Sequence, residues 1–234
     1  MSKARDRGFK EATKIEEARR IFYEALPAAS LQSESIPVQR SLNRILAEDV
    51  TAETSVPSFA KSAMDGYAVV AEDTFGASST NPSLLKLIGE SKIGESPRIL
   101  LQRGETAAIA TGAPVPQGAN AVVMIENTKR LETGDVEIYG PVAPGENVSQ
   151  VGEDVKQGTV ALERGRKLKP PDLGLLVALG RKTVSVVRKP RVRVLSTGNE
   201  LSETGPGAAG KIADVNRPVL MAMVEDCGGM PVDL

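Results

Sequence analysis

The chain has 234 residues, enough for one large domain or two small ones, and its 29 Lys and Arg nearly balance 30 Asp and Glu. This balance lacks the clustered basic excess that nucleic-acid binding requires, so no nucleic-acid partner is expected. Histidine is absent and Cys227 is the one cysteine, which excludes a Ser-His-Asp triad, a histidine metal site and an intrachain disulfide in these residues. No signal-peptide pattern or bilayer-length apolar run is present, so we expect a cytoplasmic protein without a membrane partner.

The first predicted elements are helical. Residues 13–16 have the spacing of a capping box, apolar residues then recur on one helical face to position 26, and Pro27 is expected to end that helix. A second helical pattern covers residues 38–46, where the apolar positions are 38, 42, 45 and 46.

From residue 52 to residue 151 the pattern changes to short β-branched and apolar runs separated by Gly, Pro, Asn and Asp. These runs predict strands over 84–88, 106–109, 121–125 and 136–139, with a hairpin turn at 132–135. The region is therefore expected to be a β domain inserted into a helical framework formed by 13–47 and 171–180.

The last part of the chain predicts a βαβ unit. A short helix over 172–179 should end at Gly180, and strands are expected over 184–187 and 192–195. Asn216 is expected to cap a helix that ends at Gly228-Gly229 before a further strand from residue 230. Cys227, near that helix end, is expected to be a buried structural thiol rather than a nucleophile.

The segment PSFAKSAMDGYA (57–68) has hydroxyls such as Ser62, one lysine and one carboxylate, and no periodicity. The Asp65-Gly66 dipeptide places a carboxylate on a sharply bent backbone. Two interpretations stay open: an ordinary inter-domain loop, or an active-site loop in which Asp65 orders a metal or a water.

Two further segments have polar residues at turns. Thr111 precedes a Gly-Ala-Pro turn, where a hydroxyl and free amides can hold an anionic oxygen, although a rigid strand connection also explains the pattern. The Gly152-Glu153-Asp154 segment has adjacent carboxylates that point to different sides of an extended chain, which is typical of a solvated loop.

A fourth polar segment, residues 196–200, follows an apolar strand, and ligands of open α/β sheets bind at the carboxyl ends of strands. Ser196, Thr197, Gly198 and Asn199 offer small donors for phosphate or pterin atoms, and Glu200 can coordinate Mg²⁺ through a water. A loop without a ligand is the alternative interpretation.

Together these segments resemble the molybdopterin molybdenumtransferase family (MoeA, and the E domain of gephyrin). The resemblance rests on PSFAKSAMDGYAV (57–69), TGAPVPQGANAVVMIE (111–126), GEDVKQG (152–158) and RVRVLSTGNEL (191–201), continued by GKIADVNR (210–217). It extends from about residue 13 to residue 234.

The resemblance implies an α+β multidomain fold. Domain I, helical and discontinuous (1–51 and 152–188), is interrupted by β domain II (52–151), and an α/β molybdopterin-binding domain III begins at 189. Its later part and a domain IV of the family have no counterpart in these residues, so the chain, if complete, is expected not to insert molybdenum alone.

The resemblance also implies a function: insertion of molybdate into adenylylated molybdopterin with release of AMP, helped by Mg²⁺, in a homodimer. The family's functional carboxylates match Asp65, Asp154 and Glu200, and its TGAP threonine matches Thr111, so the carboxylates are the predicted catalytic residues. Glu200 is also the predicted metal ligand. The predicted substrate-binding residues are Ser62, Thr111, Ser196, Thr197, Gly198 and Asn199. The alternative is a non-catalytic, dimerising scaffold of the same family.

Overall fold

The computed structural model describes residues 13–25, 32–202 and 210–232. The helices of these ranges are α1 (Ile15–Ala25), α2 (Pro170–Ala178) and α3 (Asn216–Asp226). The strands are β1 (Ser33–Pro37), β2 (Val50–Thr51), β3 (Lys61–Ser62), β4 (Gly66–Val69), β5 (Ser83–Ser91), β6 (Glu105–Ile109), β7 (Ala121–Met124), β8 (Thr128–Arg130), β9 (Val136–Ile138), β10 (Val148–Ser149), β11 (Val160–Leu162), β12 (Thr183–Val187), β13 (Arg191–Arg193), β14 (Leu201–Ser202), β15 (Ile212–Ala213) and β16 (Met230–Val232). None of the described helices has the length and apolar character that a membrane crossing requires.

The chain divides into two compact units. One unit is Ile36–Val184, called the central unit below, and the other, the terminal unit, combines described residues up to Ser35 with those from Ser185 onward. The division runs through the paired strands β1 and β12. The mixed, strand-rich α and β content agrees with the predicted class, while the boundaries of domains I, II and III remain predictions.

A six-stranded sheet, in the order β7-β4-β6-β5-β9-β8, forms the core of the central unit. Its pairs are antiparallel except for β5 and β6, which run parallel. Successive β4 residues alternate between faces: Tyr67 and Val69 join one buried cluster, and Ala68 joins another. The strands predicted over 84–88, 106–109, 121–125 and 136–139 are confirmed, as is the hairpin between β8 and β9.

The helix predicted over 38–46 is wrong. A short 3₁₀ helix, Val38–Arg40, is the helical structure of this segment, and Asn43 adopts a left-handed backbone with φ 62°. The N–H groups of Asn43 and Leu46 donate to the carbonyls of Leu168 and Arg166 instead of to their own segment. Backbone hydrogen bonds to residues 166–168 therefore form in place of the predicted helical hydrogen bonds.

Helix α2 begins at Pro170, two positions before the predicted start, and Gly180 with φ 75° follows it as predicted. Asp172 is buried at the first turn and accepts hydrogen bonds from the Arg166 guanidinium at 2.9 Å and the Lys169 backbone N–H at 2.8 Å. The neighbouring Arg166 guanidinium lowers the pKa of the Asp172 carboxyl. One carboxylate therefore ties the preceding segment to the start of the helix.

The βαβ unit predicted for the terminal unit is confirmed, because β13 and β16 pair in parallel and α3 connects them in sequence. Strand β13 ends at Arg193, short of the predicted position 195. Two predictions are wrong: Asn216 is the first helical residue rather than the cap, and Cys227 is exposed. Asp214 satisfies the first turn of α3 instead, accepting from the Arg217 N–H at 3.1 Å.

Helix α1 confirms the first predicted helix, although none of its residues is buried in the chain. Its apolar side chains, including Ile15 at 71% and Phe22 at 62%, are exposed. The predicted stop at Pro27 lies outside the described residues.

We predict that Asp172→Asn destabilises the chain by on the order of 2 kcal/mol at pH 7, since hydrogen bonds to a buried charged carboxylate are lost. The pKa of the Asp172 carboxyl is lower in the folded chain than in the unfolded chain. Its contribution to the free energy of unfolding is therefore complete above the unfolded pKa of about 3.9 and is lost as the pH falls through the folded pKa. Urea denaturation of both proteins between pH 2 and pH 7 measures this. Equal unfolding free energies at pH 7 would contradict it.

Candidate functional site

Asp65 and Thr111 meet at the end of the β4–β6 pair. Gly66, the first residue of β4, lies opposite Ile109, the last residue of β6, so the residues just outside each strand are neighbours. The backbone N–H of Thr111 donates to Asp65 Oδ1 at 2.7 Å, and the Thr111 hydroxyl donates to the same oxygen at 2.9 Å. Both side chains are exposed, so this carboxylate is fixed and yet accessible.

The two hydrogen bonds from Thr111, above all the backbone one, lower the pKa of Asp65 below the ordinary aspartate value. Asp65 is therefore ionised at neutral pH, and no described residue donates to its Oδ2. Thr111 uses both of its donors on Asp65, so in this arrangement it holds the carboxylate in place. Its predicted contact with substrate remains a prediction.

Glycine at position 66 permits a very close approach of two strands. A Cβ at this position would lie 1.9 Å from the carbonyl oxygen of Val123 on β7, a distance that no side chain tolerates. One residue earlier, the Asp65 carbonyl accepts from the Ile125 N–H at 3.0 Å. The backbone of Asp65 is thus held against the end of β7.

The Ser62 hydroxyl is buried and closes a turn within its own segment. It donates to the Met64 carbonyl at 2.5 Å, and the Met64 N–H donates to the Ser62 Oγ at 3.3 Å. The Ser62 backbone bonds to the other motif as well, since its N–H donates to Ala113 and its carbonyl accepts from Gly112. The SAMDG and TGAP segments therefore form one structure, with Ser62 on its inner side.

The third predicted segment packs against the start of the first. The Asp154 N–H donates to the Val56 carbonyl at 3.0 Å, and the Gly152 N–H donates to the Pro57 carbonyl at 3.0 Å. The Asp154 side chain is exposed and has no hydrogen bond to another described residue. Three of the four predicted segments thus adjoin one another in the central unit, and the catalytic role of Asp154 remains a prediction.

The fourth segment belongs to the terminal unit. The Ser196 hydroxyl is hydrogen-bonded to the Asp214 carboxylate, and Lys211 Nζ donates to the Asn199 carbonyl at 2.5 Å. The Glu200 carboxylate lies beside Gly198, where an added Cβ would be 2.7 Å from Oε1. Thr197, Gly198, Asn199 and Glu200 are all exposed.

Asp214 is a residue of this region that the sequence reasoning missed. The Ser196 hydroxyl, followed by the N–H groups of Arg217 and Asn216, lowers the pKa of Asp214. The four residues Ser196, Gly198, Asp214 and Arg217 line part of a polar pocket of roughly 270 Å³. An aspartate near the start of a helix often accepts a hydrogen bond from the backbone N–H three residues later, as Asp214 does from Arg217, and that preference is the signal that could have identified it.

The described residues contain no group of three or more Asp, Glu, His or Cys side chains that could hold a metal ion. Magnesium often keeps several waters and binds through one or two carboxylates plus substrate phosphates. Each of the exposed carboxylates Asp65 and Asp154 in the central unit, and Glu200 in the terminal unit, fits that mode of binding as a single ligand. The assignment of Glu200 as a metal ligand remains a prediction.

We predict that Gly66→Ala destabilises the chain by about 3 kcal/mol or more, because β4 must move away from Val123. Gly140→Ala is the matched control, since no atom lies within 4 Å of a Cβ there. Denaturation midpoints of the two variants measure the difference. Similar midpoints would show that β4 and β7 do not approach as closely as described.

We predict that Thr111→Val raises the pKa of Asp65 only part of the way to its ordinary value, since the hydroxyl hydrogen bond is lost and the backbone one remains. Carboxyl ¹³C NMR titration of Asp65 measures this shift. Thr133→Val is the control, because Thr133 bonds to Asp135 at a distant hairpin tip and should not affect Asp65. An unchanged Asp65 titration in Thr111→Val would contradict the described contact.

Comparison with known proteins identifies the family. The family model of the MoeA N-terminal region (domain I and II) matches residues 13–180. Molybdopterin molybdenumtransferase 2 of Mycobacterium tuberculosis is 38% identical over 219 residues, which cover 93% of this chain and 53% of that protein. Molybdopterin molybdenumtransferase of Haemophilus influenzae is 38% identical over 221 residues, covering 94% and 53%. The chain spans about half the length of these curated relatives.

The structural comparison agrees. The crystal structure of the molybdopterin biosynthesis MoeA protein from Pyrococcus horikoshii matches with a TM-score of 0.82 and 40% identity, over 86% of this chain and 54% of that one. The family model covers well over half of the chain, and the sequence and structural matches extend beyond it. The chain belongs to the MoeA family, with the MoeA N-terminal region over residues 13–180.

Proposed function

We propose that this chain supplies part of the active site of a molybdopterin molybdotransferase, which inserts molybdate into adenylylated molybdopterin and releases AMP. Family membership supports this proposal, since relatives such as the Mycobacterium tuberculosis and Haemophilus influenzae proteins are named molybdopterin molybdenumtransferases. The substrates are the pterin nucleotide and molybdate. Water bonds to the AMP phosphorus as the bond from that phosphorus to the bridging oxygen breaks, so AMP takes up the water oxygen, the pterin phosphate keeps the bridging oxygen, and the protons of the water pass to solvent.

The observation that carries the proposal is the exposed Asp65 carboxylate, held by two hydrogen bonds from Thr111. Displacement at a phosphoanhydride depends on positioning and charge neutralisation more than on a strong base. An ionised, oriented carboxylate can accept a hydrogen bond from an attacking water, or bind the hydration shell of a cation. This role suits a chain that contains no histidine.

Mg²⁺ is the proposed cofactor, and when bound it would neutralise charge on the substrate phosphates. The candidates for its protein-side contacts, directly or through water, are Asp65 or Asp154 in the central unit and, separately, Glu200 in the terminal unit. The polar groups of half-buried Ser196 and of exposed Thr197, Gly198 and Asn199 are proposed to contact phosphate or pterin oxygens. A homodimer is also proposed, and the uncovered apolar side chains of α1 support it.

A non-catalytic dimerising module of the same family is the second candidate. Such a module would bind the pterin nucleotide without releasing AMP. The two candidates therefore differ in one measurable product.

We predict that the intact protein as isolated from its native cells, given adenylylated molybdopterin, MgCl₂ and molybdate, releases AMP, and that Asp65→Asn in this intact protein lowers kcat on the order of 100-fold. The asparagine keeps the size of the side chain and removes its charge. Asp135→Asn is the matched control, since Asp135 also accepts from a threonine hydroxyl but lies at a hairpin tip. Chromatography of AMP measures the rate.

The outcomes separate the candidates. Binding of the pterin nucleotide without AMP release would identify the non-catalytic module. AMP release that Asp65→Asn leaves unchanged would contradict the role of Asp65 while leaving the family function in place.

A further inference from the structure

The segment 145–149, called the clamp segment below, borders the edge strand β7. The Val122 N–H of that strand donates to the Glu146 carbonyl at 3.1 Å. The Val122 carbonyl accepts from the side-chain amide of Asn147 at 2.9 Å. Both backbone polar groups of Val122 thus bond to the clamp segment, which closes this edge of the six-stranded sheet.

The same asparagine also bonds to the segment that carries Asp65. The Asn147 carbonyl accepts from the Ala63 N–H at 2.9 Å, and the next clamp residues pair with β3, Val148 opposite Ser62. Asn147 makes both contacts with a left-handed backbone, φ 59°, a conformation that asparagine tolerates better than most residues. It therefore joins β7 to the Asp65 segment through one residue.

Each residue from 63 to 65 is held by a different partner. Ala63 donates to Asn147, Met64 is bonded in both directions to Ser62, and Asp65 bonds to Ile125 through its backbone and to Thr111 through its side chain. The Ser62 backbone bonds to Gly112 and Ala113 and so joins β3 to the segment that carries Thr111, whereas residues 63 to 65 are held to the sheet by other partners. Asn147 anchors the start of the turn from outside, and Ile125 anchors its end.

We propose that Asn147 is a positioning residue that sets the Ala63–Asp65 turn at the distance from Thr111 at which the Asp65 carboxylate is held. Its side-chain amide fixes its own backbone on β7, and its carbonyl then fixes Ala63. The catalytic consequence rests on the proposed function, whereas the effect on the Asp65–Thr111 contact does not.

The test replaces Asn147 with glycine, which adopts φ 59° without strain and lacks the amide. Asn43→Gly is the matched control, because Asn43 is the other described non-glycine residue with a positive φ, 62°, and is exposed. Amide hydrogen exchange by NMR is measured at Ala63 and Thr111, together with the carboxyl titration of Asp65.

We expect faster exchange at Ala63 and Thr111 and an upward shift of the Asp65 titration in Asn147→Gly, with β4, β5 and β6 amides unchanged. Asn43→Gly should leave all three signals as they are. Two results would overturn the proposal. Uniformly faster exchange across the sheet would show that Asn147 only stabilises the fold. Unchanged signals at Thr111 and Asp65 would show that it does not position the carboxylate. Should the glycine variant fail to fold, Asn147→Asp, which presents an acceptor to the Val122 carbonyl, is judged by exchange at Ala63 and Thr111.

Activity gives a second readout. A shifted carboxylate should lower kcat for AMP release about ten- to a hundredfold, while KM for adenylylated molybdopterin stays the same. If the unmodified protein releases no AMP, the proposed function fails, and the NMR result still decides the role of Asn147. If AMP is released and Asn147→Gly keeps the full kcat, the positioning role is overturned while the proposed function stands.

Discussion

The backbones of β4 and β7 approach so closely at Gly66 that a single added carbon would come within 1.9 Å of the Val123 oxygen. This contact holds β4 between β7 and β6 and places Asp65 at the point where the chain leaves the sheet. The register with β6, Gly66 opposite Ile109, then brings Thr111 to the carboxylate. A slip of one residue would move the strand by about 3.3 Å and turn its side chains to the opposite face, so both core clusters and the site depend on the same alignment.

Much of the fold could be predicted from local patterns. Apolar runs bounded by Gly, Pro, Asn or Asp predict the strands of the central sheet and the β8–β9 hairpin. The same kind of pattern predicts the left-handed Gly180 and the parallel β13–β16 pair. In residues 38–46 such a pattern predicts the wrong secondary structure. Apolar residues at helical spacing were present, but Leu42 is 46% exposed while Val38 and Leu46 are buried, because backbone pairing with residues 166–168 decides the structure.

The candidate site was predictable in its residue types and not in its contacts. Asp65 and Thr111 are separated by 46 positions, and only the pairing of β4 with β6 shows that the threonine bonds to the carboxylate. The capping of α3 was assigned to the wrong residue, since asparagine and aspartate share the same preference and the chain uses Asp214. The sequence pattern does not reveal that the Ser62 hydroxyl is buried in a turn, and its predicted role in substrate binding remains a prediction.

The two edge strands of the central sheet, β7 and β8, differ in how they are protected from pairing with another chain. The clamp segment covers β7, while β8, at the opposite end of the strand order, has three residues, Thr128, Lys129 and Arg130. An edge strand with free backbone groups invites pairing with another chain, and shortness and positive charge both discourage it. Bringing two copies of this edge together would set like charges side by side. The β8 strand therefore protects the sheet against edge-to-edge aggregation at no cost to the Asp65 site, which lies toward the other edge.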